Sequence, residues 1–386
     1  MAIENHKKYI EEAYRTAKEV FEELHSWPEL GGEEFKTVTL IGKKLKAMGL
    51  GIERPLATAI VANIPGEKGK KGEKKRLAIR AELDALPITE TALVGYRSRR
   101  AGMMHACGHD AHAAILVGTA QVLCKLREVL PCDIRLIFQP DEEGPGGAQQ
   151  LVEQGVLNGV DAIFGYHVKP ELPAGTVGIR YGAIHGESQT FQAVIEGKPA
   201  HGAKPDLGRD AIYGAAHFIS MCQGIISRDL DPGKPGVITF GSIGGGEGGN
   251  ILARSVKAQG IVRGEDEETC RFLAGRMQIL ARGLSQALGL TITVNTQPGC
   301  KALVNEPHLV DQVRRAAAGK VAELSRSSMT VDDFSSYIQH VPGAYFFLGS
   351  GFPGRDNSGL HTGRFQVNED CLKTGIESLV NLCLAD

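Results

Sequence analysis

The chain has 386 residues, 42% apolar and 23% charged, with a formal net charge of -2. That length exceeds what one ordinary hydrophobic core organises, so two domains are expected, and the balanced charge leaves no footprint for nucleic acid or an anionic membrane. No apolar run is long enough to span a bilayer and no signal peptide opens the chain, so the economical expectation is a cytoplasmic protein whose eight scattered cysteines stay reduced.

Ile10, Ala13, Ala17, Val20, Phe21 and Leu24 recur at helical spacing and predict a helix over 7–24. The loop from His25 to Gly32 breaks it, and a second helix, 33–48, ends at Gly49. Extended segments at 51–64 and 77–81 flank a lysine-rich run, 65–76, whose Pro-Gly opening reads as a solvated hairpin tip. Arg80-Ala81-Glu82-Leu83-Asp84 then sets acidic groups just past a strand end, where α/β folds gather their chemistry.

The densest chemistry follows, in Met103-Met104-His105-Ala106-Cys107-Gly108-His109-Asp110-Ala111-His112. Cys107 and His109 are two apart, so in an extended or tightly turned chain both side chains leave one face. A thiolate and an imidazole aimed at one point suit a borderline-soft divalent ion such as zinc. Burying so many polar rings without partners would cost several kcal/mol, which disfavours a plain core role. Asp110 is placed to cap a helix over 111–130. His105 and His112 fit better as residues that orient ligands or pack than as ligands themselves.

A strand at 133–139 runs into Pro140-Asp141-Glu142-Glu143-Gly144-Pro145-Gly146-Gly147-Ala148, and another at 162–168 carries His167 near its end. Strands alternating with helices of this length predict a mixed, mostly parallel sheet flanked by helices. The pattern changes near Ile184. Strand 189–196, a loop at 200–205, helix 210–226, strands 237–243 and 251–262, helix 267–288 and strand 291–295 give β-α-β-β-α-β, the order of a ferredoxin-like sandwich. The expected organisation is therefore a catalytic domain in two pieces, 1–184 and 298–386, with an inserted ferredoxin-like domain at 185–297. The second piece holds helix 307–321, strand 343–348, His361 in a loop and helix 369–384.

A Glu-Glu pair alone is usually a solvated turn. Beside Cys107, His109 and the strand-end histidines His167 and His361, the pair of Glu142 and Glu143 reads as one ligand and one carboxylate left to accept a proton from metal-activated water. Ligands drawn from four separate segments suit two metals sharing one bridging group.

Three stretches carry a resemblance: His-Ala-Cys-Gly-His-Asp-Ala-His at 105–112, Gln-Pro-Asp-Glu-Glu-Gly-Pro-Gly-Gly-Ala at 139–148 and Pro-Ala-His-Gly-Ala-Lys-Pro at 199–205. Together they resemble the di-metal aminoacylase/amidohydrolase family of metallopeptidases, whose members include hippurate hydrolase, indoleacetyl-amino-acid hydrolase, N-acetyldiaminopimelate deacetylase and aminobenzoyl-glutamate hydrolase. The resemblance implies that Cys107 bridges two divalent ions, with His109 and His167 on one and Glu143 and His361 on the other. It makes Glu142 the general base and Asp84 the residue that orients the site. His201 becomes the oxyanion stabiliser, supplied by a partner subunit. Asn250 and Arg263 fall where related enzymes hold the substrate's carboxylate.

The implied activity is hydrolysis of the amide of N-acyl or N-aroyl amino acids, with zinc or manganese, or else cobalt or nickel, in a homodimer joined through the inserted domain. A dipeptidase or carboxypeptidase on the same metals, and a non-catalytic binder, are the alternatives. Some positions depart from the family pattern: Glu82 stands for Asp, Ala253 for Pro, Asp for Glu in Asp332-Asp333-Phe334, and Gly363-Arg364 occupy a loop that often carries proline.

Overall fold

The computed structural model describes residues 2–68 and 74–385; the tip of the lysine-rich run, 69–73, lies outside the described residues, and with it the expected hairpin turn. Two compact units emerge. The larger comprises Met1–Ile184, Val304–Arg326 and Asp333–Asp386, the smaller His185–Leu303 and Ser327–Asp332.

In chain order the larger unit holds α1 (Ala2–Ser26), α2 (Phe35–Ala47), β1 (Ile52–Glu53), β2 (Ile60–Ile64), β3 (Arg76–Glu82), α3 (His109–Lys125), β4 (Asp133–Gln139), α4 (Gly147–Glu153), β5 (Ala162–Pro173) and β6 (Thr176–Ile179). The smaller unit holds β7 (Glu187–Glu196), α5 (Ala211–Gly224), β8 (Gly236–Gly245), β9 (Ser255–Gly264), α6 (Glu267–Leu288) and β10 (Thr291–Pro298). The larger unit then resumes with α7 (Pro307–Ala316), β11 (Lys320–Glu323), β12 (Gly343–Gly351) and α8 (Asp370–Leu384).

The larger unit is built on an eight-stranded sheet ordered β1-β2-β4-β3-β5-β12-β6-β11. Its centre, β4-β3-β5-β12, is parallel, and antiparallel pairs flank it on both sides. The central strands are almost continuously apolar and buried, as expected of parallel strands covered on both faces. On one face α3 is buried on nearly every side and packs against α1 and α8. Small residues make that close approach feasible. A Cβ on Gly118 would meet Ile376 Cδ1 at 2.6 Å and the Ala13 carbonyl at 3.3 Å.

The smaller unit is a four-stranded antiparallel sheet, β10-β7-β9-β8, with α5 and α6 packed on one face. In chain order the strands stand 4-1-3-2, the ferredoxin-like arrangement. Phe191, Ala193 and Ile195 of β7, with Ile292 and Val294 of β10, face Phe218, Leu273 and Met277 in its core. The other sheet face is lined by Thr190, Gln192, Gln259, Asn295 and Gln297.

Local differences from the sequence reading have physical causes. Helix 307–321 stops at Ala316, because Gly319 takes φ +133° and turns the chain into β11, which pairs with β6. The helix expected from Ala111 starts at His109, and its N-cap is Gly108 in the left-handed conformation rather than Asp110. Asp110 sits in the first turn, where its Oδ2 pairs with His25 Nδ1 at 2.6 Å.

Candidate metal centre

The four parallel strands point the same way, so their C-terminal ends fall on one rim of the sheet, where open α/β folds place their sites. Asp84 follows β3, Glu142 and Glu143 follow β4, His167 lies on β5, and the chain leaving β12 leads to His361. Cys107 and His109 arrive from the start of α3. The turn at its head needs Gly108, at φ +89°, where a Cβ would also collide with Val168. The acidic turn is tight for the same reason. Gly146 takes φ +100°, and a Cβ on Gly147 would strike the Pro140 carbonyl.

These elements bring five donor residues together. Cys107 Sγ lies 3.3 Å from His167 Nε2 and 3.3 Å from His361 Nε2. His361 Nε2 is 2.9 Å from Glu143 Oε1. The donor atoms of Cys107, His109 and His167 lie within 4.8 Å of one another, as do those of Cys107, Glu143 and His361. Cys107 is the shared member of both groups. Glu142 joins the rim, its Oε2 4.0 Å from His109 Nε2.

Hydrogen bonds decide which ring nitrogen of each histidine is left to bind. His109 Nδ1 lies 3.1 Å from Asp84 Oδ1 and 3.0 Å from the Asp84 carbonyl, so it donates there and turns the Nε2 lone pair inward. His167 Nδ1 donates to the Val168 carbonyl at 2.7 Å with the same effect. Asp84 Oδ2 also accepts the Glu143 amide at 2.9 Å, so one carboxylate braces two ligand segments. His112 is excluded as a ligand by its own bonds. Its Nδ1 pairs with Glu82 Oε2 at 2.8 Å and its Nε2 accepts the Val168 amide at 2.9 Å.

Charge is unevenly distributed. Burial drives the Cys107 thiol well above its usual range, while His109 pulls the other way. Burial opposes a charge on His109, but Cys107 and Asp84 outweigh it and hold its pKa well above that of an ordinary histidine. Burial, with His112 beside it, pushes His167 well below. Burial lifts Glu143, but His361 and His109 bring it below the usual carboxylate range. His109 Nε2 is buried without a hydrogen-bond partner among the described residues. Converging sulfur, nitrogen and carboxylate donors, the His109 nitrogen among them orphaned, are a donor set suited to borderline divalent cations. The residues therefore fit a metal centre.

His201, Asn250 and Arg263 belong to the smaller unit. His201 stands exposed in its loop, its Nδ1 accepting the Ala203 amide at 3.1 Å. Asn250 is beside it, since the Asn250 carbonyl accepts the Gly202 amide at 2.7 Å. Arg263 is not with them. It lies eight residues along β9 from Ser255, roughly 26 Å at about 3.3 Å per residue, and donates to the Met329 carbonyl at 2.8 Å.

Several buried polar residues escaped the sequence reading. Arg80 is fully buried, with Nε on Gln139 at 2.8 Å, Nη2 on Asp333 at 2.5 Å and Nη1 on Glu82. His25 bridges Asp110 and Glu90, and burial notwithstanding, those two carboxylates raise it to about 9. Glu34 accepts the Asp141 amide. Their only sequence signal is a charged residue set inside, or next to, an apolar stretch.

Residues 78–385 match peptidase family M20/M25/M40. An N-acetyl-L-cysteine deacetylase of Bacillus subtilis is 39% identical over 331 residues, which cover 85% of this chain and 78% of the deacetylase. Thermostable carboxypeptidase 2 of Saccharolobus solfataricus is 34% identical, covering 97% of this chain and 96% of its own. A solved dinuclear metal-binding M20 peptidase of Bacillus subtilis superposes with a TM-score of 0.85 at 29% identity, covering 97% of this chain and 98% of that one.

Proposed function

The chain belongs to peptidase family M20/M25/M40, its relatives here being named a deacetylase, a carboxypeptidase and a dinuclear metal-binding peptidase, and on that premise we propose that it hydrolyses the amide bond of N-acyl or N-aroyl amino acids. The observation that carries this reading is the convergence of Cys107, His109, Glu143, His167 and His361, with Glu142 on the same rim. Cys107 would sit between two divalent ions, with His109 and His167 on one side and Glu143 and His361 on the other. Bound there, the ions supply Lewis acidity for the amide carbonyl and lower the pKa of water toward neutrality. Zinc suits the thiolate best; manganese, cobalt or nickel follow where availability decides.

Glu142 takes the proton of the attacking water on a carboxylate oxygen and passes it to the leaving amine nitrogen, so the products are a carboxylic acid and a free amino acid. Asp84 keeps His109 in the tautomer that presents Nε2 and holds the Glu143 amide in place. His201 donates to the oxygen of the carbonyl under attack, where charge develops. Asn250 and Arg263 grip the substrate's carboxylate, the arginine by a two-pronged donor pair.

Asn250 and Arg263 stand too far apart in one chain to hold the same carboxylate. That supports a homodimer in which His201 and Asn250 come from one subunit and Arg263 from the other. Two surfaces of the smaller unit suit such an assembly. α5 has no charged residue, and its Ile212, Tyr213 and Met221 are about half exposed. β8 is an edge strand, paired with β9 alone. Among the described residues no helix is long and apolar enough to cross a membrane.

A carboxypeptidase reading is kept because two relatives bear that name. A panel of acetyl- and benzoyl-amino acids set against free dipeptides separates the two. Faster cleavage of the acylated compounds supports the amidohydrolase, and faster cleavage of dipeptides the peptidase. Metal-loaded protein that cleaves neither is a binder.

A further inference from the structure

The turn carrying Glu142 and Glu143 is tied down at two points. Asp84 holds the Glu143 amide. The second tie reaches the residue just before Glu142. Asp141 takes φ +56°, one of two non-glycine residues among those described with a positive φ, the other being His361. A side chain in that region is uncommon and disfavoured unless its surroundings impose it. Here they do. The Asp141 amide donates to Glu34 Oε1 at 2.9 Å, and its carbonyl accepts the Gly147 amide at 2.9 Å. Its carboxylate lies over Gly31 and Gly144, where a Cβ would collide with it.

Glu34 is itself held firmly. It is fully buried at the head of α2. The loop before it is pinned to the strand end that bears Asp84, through the Ala85 amide on the Glu29 carbonyl at 2.8 Å. Glu29 Oε2 in turn accepts the amides of Lys36 and Thr37, both at 2.9 Å, and fixes the start of α2. Glu34, the 28–34 loop and the acidic turn thus form one braced corner.

Resting on the reading of Glu142 as the base, we infer that Glu34 is a positioning residue: its carboxyl oxygen holds the Asp141 peptide in the left-handed conformation that aims Glu142 at the rim. What Asp141 requires of Glu34 is an acceptor, not a charge. Burial lifts the Glu34 carboxyl to about 7, and the neutral acid still offers a carbonyl oxygen to the same amide. Glutamine is therefore the matched substitute, and leucine fills the space without accepting.

The test compares Glu34→Gln with Glu34→Leu in the metal-loaded full chain, on whichever acyl-amino acid the wild type cleaves. Glu34→Gln is expected to keep kcat within about threefold. Glu34→Leu is expected to lose tenfold or more in kcat, with KM and metal content unchanged. Hydrogen exchange at the Asp141 amide gives a readout independent of turnover: it should stay slow with glutamine and become fast with leucine. Unchanged kcat in Glu34→Leu overturns the inference, as do equal losses in both variants or loss of metal alongside turnover. Should Glu34→Leu fail to fold, Glu34→Met takes its place, matching the side chain's length without a carboxyl oxygen to accept the Asp141 amide, and wild-type kcat there overturns it too. Glu142→Gln is run beside them. Full activity in that variant defeats the base reading instead, and leaves exchange at Asp141 to report on the tie alone.

Discussion

In the larger unit His109 is sealed from solvent, one ring nitrogen held by Asp84 and the other turned toward Cys107 and Glu142. In the smaller unit His201 stands in an exposed loop and takes a single amide, that of Ala203, on its ring. The first arrangement is set before any ligand arrives, because burial and paired hydrogen bonds leave the ring one orientation. The second is set by little within one chain. The difference separates the two tasks. On the proposed reading, metal ligands need fixed lone pairs, whereas a residue that stabilises charge on a substrate needs reach, and its geometry would be completed only when substrate and partner are present.

That contrast predicts a graded set of losses. Stripping divalent metal with a chelator should abolish hydrolysis altogether and restoring it should recover activity; activity that survives exhaustive chelation would break the larger unit's half of the comparison. Glu142→Gln should cost about 10²–10⁴-fold in kcat while both metals stay bound, as measured by turnover and elemental analysis on the same sample. His201→Ala should lose about 10²–10³-fold in kcat with metal content untouched. Mixing that variant with Glu142→Gln should restore part of the activity, since each mixed dimer rebuilds one intact site; no recovery would argue that His201 serves its own chain. Asp84→Asn should weaken metal affinity by about 10–100-fold, read by competition with a chromophoric chelator.

Much of this was legible in residues close together in the chain. Cys107-Gly108-His109 reads as a donor pair because its spacing and glycine turn both side chains to one face, and the structure brings their donor atoms together with that of His167. Glu142 and Glu143 stand out because they sit between an apolar strand and a glycine-rich turn. Alternating strands and helices gave way to antiparallel pairs near Ile184, and the structure changes units there. What stayed hidden depends on distant partners. Arg80 reads as a solvated strand residue until Asp333, 253 residues away, arrives beside it. Glu34 looks like one more charge at the start of a helix, and only its 2.9 Å contact with the Asp141 amide, 107 residues on, gives it a task. The N-cap of α3 was misplaced because Asp110 is a better capping residue than Gly108 by type, and His25 claims its carboxylate. Where Arg263 stands relative to Asn250 follows from strand register, which no motif reports.

The proposed sharing of the Cys107 sulfur between two metal sites is what every other proposed role presupposes. X-ray absorption on the zinc-loaded chain tests it directly. Two ions per chain, each with one sulfur neighbour and with a metal–metal scattering path, is the predicted result. A single ion, or a second ion bound by nitrogen and oxygen alone, would contradict it.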